Sequence, residues 1–275
     1  MSRYTSMFSA LAARGEGAFV PFVMLGHPDP ETSLRAIETL LAHGADAIEL
    51  GIPFSDPVAD GPVIQRAAAR ALAGGATVRG SLGQVRALRK RHAEVPIGLL
   101  VYANLVVQDA PARFYRAAAD AGVDSVLVAD VPLAEAEPFA AAAREAEIDP
   151  VLLLPADAAA STVRGVARLG GGYTYLLARA GVTGAETKVR PPSAALLALL
   201  EEEGGAPPLV GFGVSTPAQV RPMIAAGAAG VIAGSAVVEL IERHAASAGA
   251  LDRALGDFAE VMKAATREAR SLSAR

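Results

Sequence analysis

Eight short apolar runs, separated by longer alanine-rich stretches, constrain this chain more than any other feature. The runs read AFVPFVML, DAIELGI, PIGLLVY, DSVLVAD, DPVLLLP, YTYLL, PPLVGFG and GVIAG. Runs of that length bounded by turn-forming residues predict strands, and the intervening stretches are long enough to be helices. Three strands are entered alike, by HGADAIEL (43–50), AGVDSVLV (121–128) and AGAAGVIA (226–233). Each entry places a glycine where a helix ends in the left-handed region, with an apolar strand close behind. The connections are too long for hairpins, and strands apolar on both faces must be covered on both faces. A parallel sheet with right-handed helical crossovers follows. Eight such units in about 250 residues predict the α/β class and a (β/α)8 TIM barrel. A doubly wound open sheet is the competing architecture, but the first strand-to-helix joint reads LGHPDPE and lacks its G-x-G-x-x-G turn. No Pro/Ser-rich linker or low-complexity tract divides the chain, so residues 1–275 are predicted to form one domain. The opening MSRYTSMFSALAARG predicts an extra amphipathic helix at about 2–14 rather than a signal peptide.

Charge and composition narrow the partners and the chemistry. The net charge is −4 and the basic residues are scattered, so no Lys/Arg stripe points to nucleic acid or an anionic membrane. The most apolar stretch, 225–241, is interrupted by Gly227, Gly230, Gly234 and Ser235, which suits a buried strand and helix better than a membrane span. With no cysteine there is no thiolate nucleophile and no argument for an oxidising compartment, and a cytoplasmic location is expected. The three lysines, Lys90, Lys188 and Lys263, lie outside the predicted strands, which disfavours a Schiff-base mechanism. His27, His43, His92 and His244 show no metal-ligand spacing, so no metal site is predicted. Acid/base chemistry by carboxylates is what remains.

One segment, ELGIPFSDPVADGP (49–62), offers those carboxylates. Side chains alternate along a strand, so Ile48, Leu50 and Ile52 share one face and Ala47, Glu49 and Gly51 the other. The bulky set packs under the helices, and Glu49 points into the barrel near its C-terminal rim. Lost hydration there raises its pKa above the usual value of about 4.3 toward the neutral range. A glutamate paired with a core arginine is the structural alternative. In the following loop, Pro62 predicts the first helical residue and Gly61 the cap, leaving Asp60 one position outside and free to face the barrel mouth. Asp56 and Asp60 also suit ordinary turn chemistry.

The last two predicted strands end in GFGVSTPAQ (211–219) and AGSAVVELIE (233–242). Glycine lets backbone approach a ligand, and the second segment opens a helix whose first N–H groups face any anion placed there. Barrels commonly bind phosphate at this pair of loops. Tight turns at Gly213 and Gly234 are the competing explanation. Between strand six and its helix, residues 178–192 form a long small-residue loop that predicts a lid, with the Gly184 N–H available to a phosphate.

Taken together, ELGIPFSDPVADGP, YANLV (102–106), AGVDSVLVADVP (121–132), GYTYLLARAGVTGAE (172–186), GFGVSTPAQV (211–220) and AGSAVV (233–238) resemble the tryptophan synthase α subunit family. The resemblance implies a (β/α)8 barrel that cleaves indole-3-glycerol phosphate to indole and glyceraldehyde 3-phosphate by a retro-aldol reaction. It implies Glu49 as the acid/base and Asp60 as acceptor for the indole N–H. Phe22, Leu100, Leu127, Tyr175, Phe212 and Ile232 would line the indole pocket. Gly184, Gly213, Gly234 and Ser235 would hold the phosphate, and Thr183 would meet Asp60 when the lid closes. The family works as an α2β2 complex in which the β subunit carries pyridoxal phosphate, so no cofactor is expected in this chain, and Pro53 and Asp56 would face the partner. Met24 and His27 depart from the pattern at the end of the first strand, where Thr and Asp are usual, and 152–162 lacks a polar residue usual after the fifth. Two other readings stay open on the residues alone: a sugar-phosphate isomerase or epimerase using Glu49 as base, and a weakly active subunit that regulates a partner.

Overall fold

In the computed structural model, residues 2–108, 110–178 and 190–273 are described, with side chains through Arg267. Eight parallel strands close into a barrel in the order of the sequence: β1 (Ala18–Met24), β2 (Ile48–Gly51), β3 (Ile97–Val101), β4 (Ser125–Val128), β5 (Asp149–Leu154), β6 (Thr174–Leu177), β7 (Pro208–Gly211) and β8 (Gly230–Ala233). β8 returns to β1, with Ala18 opposite Gly230 and Val20 opposite Ile232. That closure removes every sheet edge and excludes the open doubly wound sheet.

The helices are α1 (Arg3–Ala13), α2 (Pro30–Ala42), α3 (Pro62–Ala73), α4 (Val78–Arg91), α5 (Ala103–Val107), α6 (Pro111–Ala121), α7 (Glu137–Glu145), α8 (Ala160–Leu169), α9 (Ala194–Glu202), α10 (Pro217–Ala225), α11 (Ser235–His244) and α12 (Ala248–Ser273). α1 is the extra N-terminal helix, capped by Ser2, whose side chain accepts the Thr5 N–H. Two features exceed the simple repeat. The β2–β3 and β3–β4 connections each hold two helices, and a 26-residue helix closes the chain against α2, α10 and α11. The entry glycines behave as read from sequence: Gly44, Gly122 and Gly227 all have positive φ, of 106°, 91° and 106°.

Two apolar layers follow from strand parity. Ile48, Leu50 and Ile52 join Ile37, Leu40 and Val85 in the layer between sheet and helices. Ala47, Phe22, Leu100, Leu127, Tyr175 and Ile232 fill the barrel itself. Small residues give the large ones room: a Cβ on Gly51 would lie 2.5 Å from the Phe22 ring, and one on Gly211 would collide with the Tyr175 ring. The strands run one to three residues shorter than the apolar runs, because the terminal residues of each run, such as Asp46 and Ile52 around β2, lie beyond the ladder.

Candidate active site

The C-terminal rim of β2 places Glu49 inside the barrel, 1% exposed. Its Oε1 accepts a hydrogen bond from the Tyr173 hydroxyl at 2.7 Å. Burial pushes its pKa up to about 7; the Tyr173 bond opposes the rise and the nearby Asp60 charge adds to it. Glu49 therefore sits near the midpoint of titration at neutral pH.

Asp60 follows one step outside α3, whose cap is Gly61 and whose first residue is Pro62. Its Oδ2 accepts the Tyr102 hydroxyl at 2.9 Å. Burial pushes this carboxyl up to about 6, against the lowering effect of Tyr102. The Tyr102 oxygen in turn accepts the Ala59 N–H at 3.2 Å, and its ring stacks on Phe54 with centroids 5.2 Å apart.

A cavity of about 290 Å³ gathers both carboxylates with Phe22, Leu100, Tyr175, Phe212, Gly213, Gly234 and Ser235. Nine of the thirteen residues named from sequence thus share one space. Leu127 and Ile232 are buried in the same interior cluster but are not among the residues that line the cavity. Thr183 and Gly184, with most of the 178–192 segment, lie outside the described residues. Asp56 and Val58 are exposed, whereas Pro53 is buried. Met24 and His27 are also buried, and burial pushes the His27 imidazole pKa down.

The opposite wall comes from the joints after β7 and β8. Phe212 has φ 64°, a left-handed backbone costly for a bulky residue, followed by Gly213 at 99°. The Phe212 ring lies edge-on to Tyr175, with centroids 5.6 Å apart and planes at 74°. α11 begins at Gly234 without a side-chain cap, and its first backbone bond runs from the Val237 N–H to the Gly234 carbonyl. The Ser235 and Ala236 N–H groups precede that ladder at the positive end of the helix, an arrangement suited to an anion. Aromatic rings, two carboxylates and the uncapped start of α11 therefore line one cavity.

Sequence reasoning missed Tyr173, Tyr102 and Glu239, the last an acid on α11 that also lines the cavity. The only local signal for the tyrosines was position, Tyr173 one residue before β6 and Tyr102 one after β3. Among the described residues, no group of three or more His, Asp or Glu side chains is arranged to hold a metal ion.

Comparison with known proteins gives the same picture. The sequence model for the tryptophan synthase alpha chain matches residues 8–267. The tryptophan synthase alpha chain of Shewanella oneidensis is 55% identical over 265 residues, covering 96% of this chain and 95% of that one. That of Corynebacterium diphtheriae is 51% identical, covering 97% and 100%. Among solved structures, tryptophan synthase subunit alpha from Legionella pneumophila superposes with a TM-score of 0.86 at 30% identity, covering 98% of this chain and 99% of that one. A chain of the tryptophan synthase complex from Pyrococcus furiosus gives 0.79 at 32% identity, covering 90% and 98%. A closed eight-stranded barrel, a matched family model and more than half-identical relatives over nearly the full length agree, and this chain belongs to the tryptophan synthase alpha chain family.

Proposed function

We propose that this chain cleaves indole-3-glycerol phosphate to indole and glyceraldehyde 3-phosphate, the α-subunit step of tryptophan biosynthesis. The observation that carries the reading is the pair Glu49 and Asp60, buried in one apolar cavity with pKa values of about 7 and about 6. Protonated Glu49 delivers its proton to the indole ring carbon that bears the side chain. The ring then carries positive charge, shared with its N–H, and ionised Asp60 accepts that N–H and stabilises the cation. The bond from the ring carbon to the side chain breaks, its electrons return to the ring, and the side-chain hydroxyl gives up its proton to Glu49 as the aldehyde forms. One carboxyl thus acts as acid and then as base, and the proton count closes.

The anion cradle of Gly213, Gly234 and Ser235 holds the phosphate while the ring lies among Phe22, Leu100, Tyr175 and Phe212. A sugar-phosphate isomerase would leave that aromatic slot empty, which sets its reading aside. Thr183 and Gly184 would complete the site from the lid. No metal or Schiff base enters the steps assigned to Glu49 and Asp60. The partner is a β subunit in an α2β2 complex, docked on the loop that exposes Asp56 and Val58, with pyridoxal phosphate on its own side. A cytoplasmic setting and one domain over 1–275 belong to the same reading.

Indole release by Glu49→Gln tests it, because glutamine keeps the shape and removes the proton carrier. A loss of about a hundredfold to ten-thousandfold is expected. Parental rates in that variant would dismiss the assignment.

A further inference from the structure

Glu239 lines the catalytic cavity and none of the steps above uses it. It stands on α11 with Ser235 and Ala236, at the i, i+1 and i+4 spacing that shares one helix face, so its carboxylate looks along the wall that begins with the anion cradle. It is exposed and makes no ion pair among the described residues, whereas Glu242 on the same helix pairs with Arg66 at 3.3 Å. Among the described residues, the cavity lining contains three acids, Glu49, Asp60 and Glu239, and no lysine or arginine. A cleft of one sign focuses its field on whatever enters. The free N–H groups and dipole of α11 attract any phosphate, and Glu239 opposes them.

From this balance we propose that Glu239 weakens the hold of the α11 terminus on a phosphate group, so that free phosphate does not fill the cavity and a phosphate ester is held only when it also buries a ring in the aromatic slot. A bare phosphate has only the helix terminus to gain from, so the opposing carboxylate leaves it weakly held. An indole ester adds burial of its ring among Phe22, Leu100 and Tyr175, which offsets the same repulsion. The inference rests on the phosphate site of the proposed function.

The test measures inorganic phosphate, both as an inhibitor of indole release and by the thermal stabilisation it gives the chain without turnover. In Glu239→Gln the dissociation and inhibition constants fall about threefold to tenfold at low salt, and the gain shrinks as added salt screens the charge. Glu239→Lys gains more than Glu239→Gln. Glu242→Gln, which removes a charge on the same helix outside the cavity, gains nothing comparable. Unchanged or weaker phosphate binding in Glu239→Gln, or an equal gain in Glu242→Gln, overturns the inference. Tighter phosphate binding in Glu239→Gln beside a parent chain that releases no indole would instead keep this inference and remove the proposed reaction.

Discussion

The two ends of the barrel treat their carboxylates in opposite ways. At the floor, Asp124 precedes β4 and accepts Arg3 at 2.7 Å, Arg89 at 2.6 Å and the Ile97 N–H at 2.7 Å. Asp46 precedes β2 and accepts the Lys263 ammonium at 2.8 Å and the Phe19 N–H at 2.8 Å, and the same ammonium lies 3.1 Å from Glu16. At the mouth, Glu49 and Asp60 each take one tyrosine hydroxyl and, among the described residues, no cation. Both ends are buried, so burial alone does not make an acid reactive. Acids paired with a cation tie strand ends to helices, and although burial pushes the Asp46 carboxyl up as well, the Lys263 ammonium opposes that rise. Acids left with only a hydroxyl stay near the point of titration, where a proton can be given and taken back.

The largest effect expected from this contrast belongs to Glu49→Gln, which moves activity and stability in opposite directions. The folded chain holds the Glu49 proton up to about pH 7, whereas the ordinary carboxyl releases it near 4.5. Between those values the folded state binds more protons than the unfolded one, so stability falls as pH rises through that window. Above pH 7 the ionised, buried carboxylate costs about 3 kcal/mol. Glu49→Gln is therefore expected to melt higher than the parent at pH 8, with the difference closing toward pH 5, while indole release collapses. Scanning calorimetry at the two pH values checks this, and a lower melting temperature at pH 8 would show that Glu49 is a structural acid like those at the floor.

Asp124→Asn is the converse experiment. Arg89 is only 13% exposed at its side chain and would lose its charge partner, and the single oxygen that asparagine keeps cannot serve both Arg3 on one side and Arg89 with the Ile97 N–H on the other. Denaturant unfolding should register a loss of about 3 kcal/mol, with indole release per folded molecule retained. A floor substitution that cut the rate as deeply as a mouth substitution would break the division between the two ends.

How far the sequence alone could see follows the same line. The barrel was legible because the strands announce themselves locally: an apolar run such as SVLV with turn formers beyond, and in three cases a glycine entry such as Gly122. Glu49 was legible because parity is a local property, and Asp60 because a Pro at the first helical position fixes where the cap must be. The hydroxyls that set their charge states were not. Tyr173 is 124 residues from Glu49 and Tyr102 is 42 from Asp60, and only closure of the barrel brings either pair together. The left-handed backbone at Phe212 was hidden for a related reason, since tertiary packing holds a conformation that local preference resists. Leu127 and Ile232 were assigned to the right face, but a period of two cannot tell which inward residue lines the cavity.

The finest distinction at the mouth is between the two tyrosines' carboxylates themselves, and Tyr102→Phe isolates it. Phenylalanine keeps the ring against Phe54 and removes only the hydroxyl that holds Asp60 at 2.9 Å. That bond lowers the Asp60 pKa, so without it the value rises above about 6, toward the Glu49 value of about 7. The proposed reaction needs Asp60 ionised and Glu49 protonated, so the acidic limb of kcat/KM against pH should move up while the basic limb stays, narrowing the optimum from its acid side. A loss of about fivefold to tenfold at pH 6, shrinking above pH 7, is the expected size for one hydrogen bond to a charged group. An acidic limb that did not move would mean that burial alone sets the Asp60 charge, and the mouth would then owe its poise to the apolar slot rather than to the hydroxyls that line it.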